Sequence, residues 1–274
     1  MIGYPARGAC ILNNSNPLTF RSQYFYHIDA KICKTSNFQM TYLNDPIWYP
    51  PVNVIAHFKR IENSFSEEEK KSKVFRKMEE MFAVAIMLVG IKKIQKKDYW
   101  LQLVEDKEQS PDVRTITFVS PRKISPNDIS IQDVEVVTYD YFSDDMFVDF
   151  MERTKLSNKK GYDALTTILC HIRRDILLPP LRELQQRLAI KKFSSSVMIL
   201  GKTSPDKEVY KIAQINPLID LNVEFNATEE LRTSKPTRVL KLMRGSKSNF
   251  QHYPNEKHYP FEKLGLRSGP DQSP

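Results

Sequence analysis

Residues 66–97 read SEEEKKSKVFRKMEEMFAVAIMLVGIKKIQKK, and this stretch organises the chain. Ser66 followed three residues later by Glu69 has the form of a capping box, which predicts a helix start. The first turn is acidic (Glu67, Glu68, Glu69) and the last is basic (Lys92, Lys93, Lys96, Lys97). Both ends therefore suit the helix dipole. Phe75, Met78, Phe82, Ala85, Ile86 and Val89 recur at helical spacing. From Met81 onward apolar residues cover nearly the whole circumference, so the second half of the helix is expected to be buried on more than one side. The run from Met81 to Ile91 is about half the 20 or so residues that a bilayer span requires. Gly90 costs a helix about 1 kcal/mol relative to Ala, which marks close packing or a break.

The helix is followed by segments with strand periodicity. Asp98 to Val104 and Arg114 to Val119 alternate, and Ile131 to Tyr139 is rich in β-branched residues. Ser110-Pro111-Asp112 and Ser125-Pro126-Asn127-Asp128 are turn formers between them. Helical stretches are predicted at roughly 144–154, 162–174 and 181–190. Two further strands, 196–200 and 208–215, would join in a hairpin through Ser204-Pro205-Asp206. The fold class expected is α/β or α+β, with a central mixed sheet flanked by helices. Residues 1–60 are read as an N-terminal extension packing on the core, with a strand at Tyr24 to Cys33 and a rigid turn at Trp48 to Pro51. Residues 61–225 are read as the core domain. Beyond 226 the apolar pattern thins and Lys235, Arg238, Lys241, Arg244 and Lys247 follow one another without an acid, so 226–274 is expected to be a basic, partly disordered tail.

Composition narrows the chemistry. The 274 residues carry a formal charge of +8, a balance that favours nucleic acid or another acidic surface as partner. Eight scattered glycines exclude a phosphate-binding loop or dinucleotide fingerprint. There is no GxSxG elbow, and the five histidines lie far apart with no HExxH. Cys170 and His171 are adjacent on a predicted helix, where neighbours point about 100° apart, so they do not form a dyad. Three cysteines with no CxxC pair fit a reducing compartment, and the N-terminus has no apolar signal segment. A cytoplasmic, non-membrane protein is expected.

The acidic residues are more informative. Asp112 follows Pro111 at the start of one predicted strand. Glu135 is embedded in Val134-Glu135-Val136-Val137, where a carboxylate is costly if buried without a partner. Asp133 and Glu135, two apart, share a strand face. Carboxylates converging from neighbouring strands form an oxygen site suited to Mg²⁺. The alternative leaves Asp112 as a turn residue and Glu135 on a half-exposed strand.

With its Pro111-Asp112 pair, the acid at Glu135 and the order helix, three strands, helix, strand over residues 66–201, the chain resembles the PD-(D/E)xK nuclease superfamily. The resemblance implies a restriction-endonuclease-like core, with Asp112 and Glu135 binding Mg²⁺. It implies a further glutamate from the first helix. Glu79 is preferred because it borders the Phe75/Phe82/Ile86 face, while Glu80 points away. The family's lysine belongs two residues after the acid, where this chain has Val137. Some members take it from the following helix, which points to Lys155, Lys159 or Lys160, with Lys160 preferred. The catalytic set implied is Asp112, Glu135, Lys160 and Glu79. Lys159, Arg173, Arg174, Lys191 and Lys192 would track nucleic-acid phosphates. Two functions stay open: a metal-dependent nuclease or nuclease-like nucleic-acid-binding protein, and a non-catalytic binding module or inactive relative acting as a homodimer or in a larger complex.

Overall fold

The computed structural model describes residues 47–104, 111–118, 129–140, 146–156, 162, 166–173, 181–189, 195–204, 207–217, 221–233, 239–242, 250–253, 260–261 and 264. The elements run β1 (Ile47–Trp48), α1 (Pro51–Ile61), α2 (Lys73–Gln95), β2 (Tyr99–Leu103), β3 (Val113–Phe118), β4 (Ile129–Tyr139), α3 (Phe147–Met151), β5 (Thr166–Ile172), α4 (Leu181–Ala189), β6 (Ser196–Lys202), β7 (Val209–Asn216), β8 (Asn222–Asn226), α5 (Ala227–Thr233), β9 (Val239–Leu242) and β10 (Phe250–Tyr253). The fold is mixed α/β. Seven strands lie in sequence order, β2 to β8, and a second sheet has the order β1-β9-β10. In the large sheet β4-β5 and β5-β6 are parallel and the other pairs antiparallel.

Helices cover both faces of the large sheet. On one face α1 and α2 bury Val54, Ile55, Phe58, Met78, Met81 and Ile86 against Val134, Val136, Leu169 and Leu200. On the other, Phe150, Met151, Leu184 and Leu188 from α3 and α4 meet Val137, Tyr139, Ile168 and Cys170. Val134 and Val136 thus face one layer and Val137 and Tyr139 the other, as strand alternation requires. A third cluster of Trp48, Trp100, Ile116 and Leu240 joins the small sheet to β2 and β3.

The long helix begins later than its sequence predicts. The capping box forms: Ser66 N donates to Glu69 Oε2 at 2.8 Å and Glu69 N to Ser66 Oγ at 3.3 Å. It is followed only by a short 3₁₀ turn, Glu69–Lys71. Ser72 then turns to ψ 154° and caps α2 afresh, accepting from Phe75 N at 3.2 Å. Two hydroxyls in succession compete for the helix start, and the one adjoining the apolar stripe wins. Every residue from Met81 to Ile91 is buried. Lys96 closes the helix in the left-handed conformation at φ 55°.

One expectation fails. Residues 162–174, read as a helix, contain β5, which pairs with β4 and β6 along its length. A strand buried on both faces loses its alternation, so its period is ambiguous in sequence. On a strand Cys170 and His171 point to opposite faces, which also rules out a dyad. Within the expected tail, 226–274, lie α5, β9 and β10, and Leu240 and Phe261 are fully buried. The chain there is held by pairing with β1 and by aromatic packing, which a thin aliphatic pattern conceals. The predicted strand at 24–33 lies outside the described residues. Among those described, no helix is long and apolar enough to cross a membrane.

His57 of α1 is 7% exposed and stacks on Phe261, ring centroids 5.1 Å apart. Burial, aided by Arg60, lowers its pKa from 6.5 to about 4. The unfolded chain therefore takes up this proton at a higher pH than the folded one. Stability should decline as pH falls from 6.5 towards 4. The urea midpoint measured across that range should fall less steeply in His57→Gln than in wild type.

Candidate active site

Asp112 sits immediately before β3, after the buried Pro111. Its backbone carbonyl accepts from Val104 N at 3.2 Å, which ties it to the end of β2. The register pairs Val113 with Val134, so Asp112 stands across from Glu135. Its side chain completes the ladder there: Val136 N donates to Asp112 Oδ2 at 2.9 Å. That bond fixes the carboxylate at the mouth of the sheet, between its two faces.

Glu135 occupies the middle of β4, flanked by β3 and by Ile168 of β5, and is 2% exposed. Its parity with Val137 and Tyr139 turns it to the α3/α4 layer. α3 continues into a π-helical turn, Glu152–Leu156. Thr154 Oγ1 donates to Phe150 O at 2.7 Å within it. Leu156 is buried in the second core, and the neighbouring Lys155 enters the site. Such turns re-aim side chains and recur at functional sites. Lys155 Nζ lies 2.7 Å from Glu135 Oε2 and 4.0 Å from Asp112 Oδ2. Tyr162 Oη stands 3.5 Å from the same Glu135 oxygen.

A second lysine arrives from the opposite layer. Lys77 of α2 lies 2.7 Å from Asp112 Oδ1 and 3.1 Å from Glu80 Oε2. Burial opposes the charge on both lysines, but Asp112 with Glu80 for Lys77, and Glu135 with Asp112 for Lys155, outweigh it and hold both ammonium groups above the usual lysine range. Burial, with the nearby Asp112, raises the pKa of Glu80. Burial likewise raises that of the Tyr162 phenol. Glu135 Oε1 is buried with no hydrogen-bond partner among the described residues. Among those residues no three His, Cys, Asp or Glu side chains converge at metal-ligand spacing. The arrangement is a buried cluster of hard oxygens interleaved with two cations.

No protein-family model, curated protein or solved structure matches this chain. The site therefore stands on its own geometry.

That geometry brings Asp112 and Glu135 together and adds Lys155 from the following helix, one of the three lysines named by sequence. The preferred lysine, Lys160, lies outside the described residues, as do Lys159, Arg174, Lys191 and Lys192. Arg173 lies elsewhere: its backbone N donates to Tyr139 O and its guanidinium pairs with Glu79 Oε1 at 2.7 Å. Glu79, the preferred helix glutamate, is engaged in this contact. Glu79 faces the end of β5, and the helix carboxylate beside Asp112 is Glu80. The reason is physical. α2 is buried on several sides, so its Phe75/Phe82/Ile86 stripe does not single out the face that meets the site. Asp133, on the same strand face as Glu135, pairs with Arg114 at 2.7 Å. Lys77, Glu80 and Tyr162 were not anticipated. The spacing of Lys77 and Glu80, three apart on one helix, is the signal available for the first two.

Proposed function

We propose that the chain is a metal-dependent nuclease, or a nuclease-like nucleic-acid-binding protein, of PD-(D/E)xK type. One observation carries the reading: a single lysine, Lys155, reaches both Asp112 and Glu135 where β3 and β4 meet. The order α2, β2, β3, β4, α3, β5 supports it, since it repeats the helix, three strands, helix, strand sequence of that superfamily. The +8 charge supports a polyanionic partner. The residues fit Mg²⁺ through oxygen chemistry: Asp112 and Glu135 supply carboxylates, and Glu135 Oε1 has an unused acceptor. When bound, such an ion polarises a phosphoryl oxygen and acidifies water. Asp112 and Glu135 would hold the ion, and Lys155 Nζ would donate to the phosphate or to the attacking water. Cytoplasmic nucleic acid is the substrate class, engaged by the chain alone, as a homodimer or within a larger complex.

The second reading is a non-catalytic nucleic-acid-binding module. The observation favouring it is that each carboxylate is paired with a lysine, Asp112 with Lys77 and Glu135 with Lys155. Plasmid DNA incubated with Mg²⁺ and the full chain separates the two. Wild type should nick it, and Asp112→Asn and Glu135→Ala should not. Equal cleavage by all three would remove the nuclease reading.

A further inference from the structure

We propose that Lys77 is an internal counter-cation that competes with a divalent ion for Asp112 and so limits metal loading of the site. The inference rests on the reading of Asp112 and Glu135 as a metal site. It goes further, because it assigns a restraining role to a residue outside the acid and lysine set.

Both oxygens of Asp112 are engaged. Oδ2 accepts from Val136 N and has Lys155 at 4.0 Å, and Oδ1 is held by Lys77 at 2.7 Å. A Mg²⁺ ion must approach a carboxylate oxygen to about 2.0–2.1 Å. An ammonium group on the same oxygen would then face a divalent cation at close range in a partly buried setting, where repulsion is weakly screened. Lys77 must therefore withdraw before Asp112 Oδ1 can serve as a ligand. The side chain has somewhere to go. It is 23% exposed, and Glu80, one turn along the same helix and 3.1 Å from Nζ, offers a second carboxylate. Lys155 does not share this role, because it lies on the other layer of the sheet and its primary contact is Glu135. Withdrawal of Lys77, by whatever draws its charge away, is the step that opens Asp112. A phosphate backbone alongside α2 has the chemistry to do so.

The test is calorimetric titration of the metal-free full chain with MgCl₂, accompanied by thermal melts. Lys77→Met keeps the apolar stem and removes the charge. Lys77→Gln also removes the charge while retaining a donor for Asp112, which guards against poor folding. Lys77→Arg keeps the charge. Both neutral variants should bind Mg²⁺ roughly 10- to 100-fold more tightly than wild type, and Mg²⁺ should raise their melting temperature more than that of wild type. Lys77→Arg should resemble wild type, and adding Glu135→Gln to Lys77→Met should abolish the gain. Equal or weaker Mg²⁺ binding by the neutral variants would overturn the proposal, as would no binding by any of them. Cleavage is scored separately: tighter binding without nicking would overturn the nuclease reading and leave the role of Lys77 standing.

Discussion

Lys155→Met is expected to lower the stability of the fold by about 3–5 kcal/mol, the usual cost of stripping one partner from a buried ion pair. The side chain of Glu135 is 3% exposed and that of Lys155 16%, so water cannot replace the lost ammonium group. The double variant Lys155→Met/Glu135→Gln should recover most of that loss, because no uncompensated charge is left behind. Activity should not recover. In the nuclease reading the removed group stabilises developing charge on phosphate, a contribution of about 10²–10³ in rate where comparable donors have been deleted. Urea denaturation of the single and double variants, with plasmid nicking alongside, checks both statements. A single variant as stable as wild type would mean that Glu135 is not a buried charge dependent on Lys155.

Gly90→Val should be similarly damaging for a different reason. A Cβ at Gly90 would overlap Ile212 Cδ1 and lie 2.6 Å from Phe225 Cε1. Both are side-chain ends, but neither can move aside into solvent, since Ile212 is 0% and Phe225 3% exposed. Phe225 is backed by Tyr210, ring centroids 6.3 Å apart. Overpacking by one methyl group costs about 1–3 kcal/mol, and valine adds two further carbons. Gly90→Ala gains about 1 kcal/mol of helix propensity, so its net loss should be smaller. Differential scanning calorimetry should rank wild type, Gly90→Ala and Gly90→Val in falling order. Shortening the opposing side chain in Gly90→Ala/Ile212→Val should return part of the loss. A Gly90→Val protein that melts with wild type would mean that α2 does not pack this closely on β7 and β8.

The sequence marks its helices where burial is one-sided or ends are capped, and its strands where one face differs from the other. α2 satisfied the first condition through Phe75, Met78 and Phe82, and β2 and β3 the second, while β4 was marked by its β-branched residues. β5 met neither, since Thr166 to Cys170 is buried throughout. Asp112 and Glu135 stand out because a proline-flanked acid and an acid inside a valine run are both expensive where they are. Lys155 could be named only as one of three, because nothing in the local sequence distinguishes it from Lys159 and Lys160. The choice between Glu79 and Glu80 turned on which side of α2 meets the sheet, and that is set by tertiary packing. The segment β9 was invisible because its partner, β1, lies almost two hundred residues away, and β10 because it pairs on β9.

The two sheets also differ in how soon they can assemble. Strands β2 to β8 neighbour one another in the order they occur in the chain, so each new strand can dock on its predecessor through an antiparallel connection or a helical crossover. The small sheet pairs Ile47 with Lys241, and that closure must wait for nearly the whole polypeptide. Trp48 and Trp100, buried together only when Leu240 arrives, would remain accessible until then. During synthesis the seven-stranded sheet would thus be organised first, and the indole pair would be sealed last.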